Sequence, residues 1–243
     1  MPEARELLAR ALALPAHARA AAHGESGRLR LAFVSTVGFG LLPQWVRAFR
    51  SMYPRVELEL IESTGDVQLQ SLERGEIDAG FMLHSPGFAP PGLHHLRIAR
   101  EPLVLALPEQ HELATVRTLA LGPVLDQPLV IFPRRILPSL HDAVFAMYHA
   151  AGRTPRIAQE AIQMQTIVNL VSAGLGLAWV PDSVRQFQRP GVVYRRIPGR
   201  KAQAVPDSET SLVWPAAANP TLERFVEFAR ARLAAPARKL AAQ

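Results

Sequence analysis

Phe33 to Pro43 reads FVSTVGFGLLP: an apolar run ends in Ser35 and Thr36, passes Gly38 and Gly40, and enters a helical pattern near Leu41. Two hydroxyls at a strand end can hold a carboxylate, helped by the free N–H groups and positive dipole end of the helix that follows. Such residues also serve as plain caps and turns. Nucleotide phosphate fits less well. No Lys follows a second Gly as a Walker loop requires, and Gly38-Phe39-Gly40 lacks the third glycine of GxGxxG. Glu62-Ser63-Thr64-Gly65-Asp66 closes the next apolar run in the same way. Parallel strands deliver their C-terminal ends to one sheet edge, so Ser35 and Thr36 should converge with Ser63 and Thr64. The plainer alternative is that Ser63 or Asp66 only caps a helix. Phe132-Pro133-Arg134-Arg135 ends a third run, where an Arg can grip a carboxylate through two parallel hydrogen bonds or simply lie on the surface.

Other chemistries find less support. There are no cysteines, which removes disulfides, thiolate metal sites and Cys nucleophiles. His94 and His95 are adjacent and would point to opposite faces of a strand, and no histidine pair has HxxxH or HExxH spacing. Ser139, His141 and Asp142 supply the residue types of a catalytic triad, but within one helical turn they cannot reach its geometry, and GxSxG is absent. The expectation is a protein that is not an enzyme and that uses neither metal nor cofactor.

The elements that must position these residues alternate. RLRLAFV reads as a strand, LLPQWVRAFRSMY as a helix with Leu42, Trp45, Val46 and Phe49 on one face, VELELI as a strand, DVQLQSLERG as a short helix and EIDAGFML as a strand. That βαβαβ order calls for a parallel sheet with helices on its faces. HHLRIAREPLVLALP then runs extended into a second, similar series: PLVIF, the helix LPSLHDAVFAMYHAAG, PRIAQEA, the helix QTIVNLVSAG, GLAWVP and GVVYRRI. TSLVW and a final helix from Pro220, with Leu222, Phe225, Val226, Ala229 and Leu233 inward, complete the chain. Two α/β lobes follow, joined near residues 97–103 and again through PGRKAQAVPDS at 198–208. Two crossings between lobes make a hinge with a cleft, where ligands bind in such folds. The division read from this pattern is an N-terminal helical segment over 1–25, lobe I over 26–99 and 206–243, and lobe II over 100–205. Pro15 should kink or end the N-terminal helix.

At 243 residues the chain can bury a sizeable core, and 49% hydrophobic with 20% charged residues excludes global disorder. A net charge of +6 raises nucleic acid as a partner, but the arginines are scattered, with no long basic run and no interleaved aromatics. No run approaches the roughly 18 apolar residues of a membrane span, and the Arg- and Glu-studded N-terminus has no apolar signal core. A cytoplasmic protein without a membrane partner is expected.

Residues 27–81 (GRLRLAFVSTVGFGLLPQWVRAFRSMYPRVELELIESTGDVQLQSLERGEIDAGF), then EPLVLALPEQHELA, PRIAQEAIQMQTIVNLVSAGLGLAWVPDSV and GVVYRRI resemble the effector-binding domain of LysR-type transcriptional regulators, over about 27–235. The branch that senses aromatic compounds or their ring-cleavage acids is the nearest in pattern. The resemblance implies a periplasmic-binding-protein-like pair of Rossmann-like lobes (type II), with a small inducer in the cleft. It implies inducer contacts at Ser35, Thr36, Thr64, Gly65, Pro133 and Arg134. It also implies dimers or tetramers, and a linker-helix end at 3–22. DNA would be bound only through a winged helix-turn-helix that this sequence does not contain. A transport solute-binding protein of the same fold is the alternative. Porphobilinogen-polymerising enzymes of similar lobe design attach their cofactor through a Cys, which is absent.

Overall fold

The computed structural model describes residues 2–234, so residues 235–243, assigned above to lobe I, lie outside the described residues. A long helix α1 (Pro2–Ala22) leads to β1 (Ser26–Phe33), a four-residue helix α2 (Ser35–Gly38), α3 (Leu41–Met52), β2 (Arg55–Glu62), α4 (Gly65–Glu73) and β3 (Ala79–His84). Next come β4 (His94–Pro108), two short helices α5 (Glu112–Thr115) and α6 (Leu121–Leu125), β5 (Pro128–Ile131), α7 (Pro138–Ala150), β6 (Arg156–Glu160) and α8 (Met164–Ser172). The chain ends with β7 (Ala178–Pro181), β8 (Val192–Arg195), β9 (Asp207–Trp214) and α9 (Pro220–Ala234).

The first sheet runs β2-β1-β3-β9-β4, with β1 parallel to β2 and β3, and β9 antiparallel to both β3 and β4. Its strands alternate between two covered faces. Leu31, Phe81 and Leu212 pack with Trp45, Phe49 and Phe225 of α3 and α9, while Ala32, Met82 and Val213 pack with Leu72 of α4. The Trp45, Phe49, Phe225 and Phe228 rings meet largely edge to face, the arrangement their quadrupoles favour.

β4 belongs to both lobes. His94–Pro102 pairs with β9, whereas Leu103–Ala106 pairs with β7 and Leu105–Pro108 with β8. Its second half is buried on both faces, as the unbroken apolar run Leu103–Leu107 requires. β5 pairs with β6 and is stitched to the β7 region through a parallel bridge from Leu129 to Leu177, so the second lobe reads β6-β5-β7-β4-β8. Helices α7 and α8 cover it with Leu140, Val144, Tyr148, Ile167 and Val168. This is the two-lobed α/β fold expected.

α1 passes through Pro15 and continues to Ala22, so the proline does not end the helix. Two local expectations differ. The third strand starts at Ala79, not Glu76. Asp78 turns aside to accept from the Arg30 N–H at 2.7 Å and from its guanidinium at 2.9 Å, which raises the Arg30 pKa. Ser35 and Thr36 lie in α2, a separate turn ahead of the helix that starts at Leu41. Among the described residues, no helix is long and apolar enough to cross a membrane.

Candidate functional site

The register of the parallel strands builds the site. β1 and β2 stay level up to Phe33 opposite Glu62, and the Ser63 N–H donates to the Phe33 carbonyl at 3.1 Å. The two hydroxyl pairs therefore leave the sheet side by side. They face a cleft between the lobes. On the lobe I side the lining is Ser35, Thr36, Ser63, Thr64 and Gly65, flanked by Val34 and Leu83. Across from them, Phe132, Ile136, Leu137 and Met164 form an apolar wall, with Ile162 and Gln163 beside it.

Both hydroxyl-bearing residues of α2 are buried, Ser35 at 7% and Thr36 at 6% exposure. Thr36 Oγ1 has no hydrogen-bond partner. Two longer helices aim their N-termini at the same space: α4 from the N-cap Thr64 and α8 from the N-cap Gln163, neither capped by a side chain. The first N–H groups of each have no partner within the helix and carry its positive dipole end. Asp66 in the first turn of α4 lines a neighbouring groove, not the cleft. Among the described residues no charged side chain lines the cleft. An apolar body would fit the lobe II wall, and an oxygen-rich group would fit the lobe I hydroxyls and helix ends.

The structure thus brings Ser35, Thr36, Thr64 and Gly65 together and leaves Pro133 and Arg134 out. Pro133 is buried and starts the 3-10 turn Arg134–Ile136, so its neighbours Phe132 and Ile136 reach the cleft in its place. The Arg134 fork does form two parallel bonds to a carboxylate, but to that of Asp142, at 2.7 Å each. Arg134 thereby holds the Asp142 carboxyl below its ordinary pKa, and its own pKa is raised. Ser139, of the triad-like trio, accepts from the Ser85 N–H at 3.1 Å and its carbonyl accepts from the Ser85 hydroxyl at 2.9 Å, a seam between the lobes. A second contact between the lobes is the stack of Phe39 on Phe187, with centroids 5.7 Å apart. Within lobe II, Glu101 accepts from the Ser183 N–H at 2.6 Å and from its hydroxyl at 2.9 Å.

The residues missed in the sequence are Ile162, Gln163 and Met164. They follow the end of β6, and the strand-end rule that pointed to Ser35, Thr64 and Phe132–Arg135 would have reached them had it been carried on to β6.

The family description "LysR substrate binding domain" matches residues 22–234. The chain belongs to this LysR family. This effector-binding domain is 42% identical over 215 residues to the HTH-type transcriptional regulator IlvR of Caulobacter vibrioides, covering 88% of this chain and 70% of that protein. It is 34% identical to AlsR of Bacillus subtilis, covering 74% of this chain and 59% of AlsR, so it spans only part of these regulators. The crystal structure of CbnR, a LysR family transcriptional regulator, superposes with a TM-score of 0.77 at 31% identity, over 94% of this chain and 78% of CbnR. These relatives are transcriptional regulators, which gives the solute-binding-protein alternative no support.

Proposed function

We propose that this LysR effector-binding domain takes a small carboxylate inducer, aromatic or otherwise apolar in its body, into the inter-lobe cleft. Occupancy then shifts the angle between lobe I (26–99 and 206–234) and lobe II (100–205). The observation that carries this reading is the buried, unpartnered Thr36 hydroxyl in a cleft that also receives the uncapped N-termini of α4 and α8. A carboxylate oxygen would satisfy that hydroxyl and the helix N–H groups together. The domain performs no chemistry on the inducer in this reading. It acts in the cytoplasm as part of a homodimer or homotetramer, with DNA contacted by the winged helix-turn-helix of the regulator. A ligand shifts such an equilibrium only by its differential affinity for the two lobe arrangements, typically about 1–3 kcal/mol.

Titration calorimetry with benzoate and with cis,cis-muconate tests it. Thr64→Ala is expected to weaken whichever acid binds the unaltered domain. Equal binding by both proteins removes Thr64 from the site, and turnover of either acid would revive an enzymatic role.

A further inference from the structure

Lobe I meets the cleft with four hydroxyls, whereas lobe II meets it with an almost wholly apolar wall. Gln163 is the exception: among the described residues it is the one polar side chain that lobe II contributes to the lining. The sequence-based expectation gave this role to Arg134, but that guanidinium is closed on Asp142 and stands outside the lining. Arg135 is exposed and faces the neighbouring groove.

Gln163 sits at the N-cap of α8 with an extended backbone (φ −95°, ψ 139°), yet its side chain does not cap the helix. Its carbonyl is already engaged, accepting from the Ile167 N–H at 3.0 Å and so opening the helical ladder. That bond holds the backbone still while the half-buried carboxamide stays on the cleft surface. Thr36, buried and with its hydroxyl lacking a partner, lines the same cleft from the opposite lobe. Two unengaged polar groups, one per lobe, thus bound one small space.

We propose that Gln163 is the specificity-determining arm of lobe II, donating from Nε2 to an oxygen of the inducer whose carboxylate rests on the lobe I hydroxyls. This rests on the inducer-binding reading above. The ligand class it selects is a small acid carrying an additional oxygen acceptor, either a second carboxylate or a carbonyl, that reaches across the cleft. An acid with one carboxylate and a purely hydrocarbon body would engage lobe I alone. Being neutral, the carboxamide accepts such a group without the desolvation cost of a buried cation. Holding one molecule from both lobes is also what would make binding depend on closure.

The test is calorimetric titration of the whole chain with cis,cis-muconate, 4-oxopentanoate and benzoate, on the unaltered protein, Gln163→Met and Gln163→Glu, with thermal melts as the check on folding. Met keeps the length and removes the donor. Glu keeps the shape and opposes an anion, and it serves alone if the Met variant fails to fold. Muconate or 4-oxopentanoate is expected to bind the unaltered chain, to bind Gln163→Met at least threefold more weakly, and Gln163→Glu more weakly still. Benzoate affinity is expected to stay within threefold in Gln163→Met. A loss below threefold for the oxygen-bearing acids in both variants overturns the role of Gln163 while leaving the inducer site intact. Binding of none of the three acids to the unaltered chain overturns the carboxylate reading itself, and this assignment with it.

Discussion

The Thr36 hydroxyl is buried without a partner, an arrangement that costs on the order of 1–3 kcal/mol in the empty protein. Thr36→Val is therefore expected to hold or raise the melting temperature while weakening acid binding by about tenfold, the equivalent of ~1.4 kcal/mol. Calorimetry and a thermal melt on one preparation check both signs, and a stability loss with unchanged affinity would assign the hydroxyl to structure alone. Two phenols supply a pH dependence. Burial pushes Tyr148 up to about 12, and likewise Tyr194, whose hydroxyl donates to the Phe187 carbonyl at 3.0 Å. Because the folded state favours the protonated phenol, the stability these groups confer is complete below the unfolded value near 10 and is lost as pH rises towards about 12. Absorbance at the phenolate band, followed with circular dichroism across that window, should show the two rings ionising together with alkaline unfolding. Ionisation of both at ordinary values in a folded chain would contradict it. At this scale the hydroxyls Ser35, Thr36 and Thr64 were legible because they stand at strand ends. The engagement of Arg134 was not, since its carboxylate partner lies eight residues on, across a turn and the start of a helix.

Gly65 shows how closely the elements meet. A Cβ there would stand 3.1 Å from Met82 Cε and 3.3 Å from the Ile136 carbonyl oxygen, so the first turn of α4 has room for a glycine against the Arg134–Ile136 turn of the other lobe. Gly65→Ala is expected to hold the lobes slightly apart, reducing acid affinity several-fold and enlarging the radius of gyration measured by solution X-ray scattering with saturating acid. An unchanged affinity would mean that the side chains yield instead. The major elements of both lobes were readable from the alternation of apolar runs with helical stripes. The exceptions have specific causes. α2 is too short to carry a period, β3 loses its first residues to the Asp78–Arg30 pairing, and Pro15 interrupts a propensity but not the exposed helix around it. Gln163 was passed over because the strand-end reading was not carried on to β6, and a single amide at the start of an apolar helix carries no signal of its own.

At the scale of the whole molecule, α1 carries a cluster of exposed leucines among the described residues. Leu7, Leu8, Leu12 and Leu14 are 62–73% exposed, while the end of the helix is held to the body by Arg224, which donates to the His23 carbonyl at 2.9 Å. Leucines left bare on a helix that is itself anchored suit self-association. Leu8→Ser with Leu12→Ser is expected to shift sedimentation towards smaller species without altering acid binding, and an unchanged distribution would move the interface elsewhere. The two-lobed plan was legible because each lobe repeats the same order of elements. Which strand serves both lobes was less so, because a fifteen-residue extended run does not announce where its partners change. The placement of β9 governs how the protein is born. That strand lies between β3 and β4 in the first sheet, yet it follows every strand of the second lobe in the chain. On the ribosome, β1 to the first half of β4 emerge with a gap within their sheet, and every strand of the second lobe appears before the strand that fills it. Lobe II can therefore close first, and of the two lobes lobe I, with the hydroxyls of the cleft, is the later to become whole.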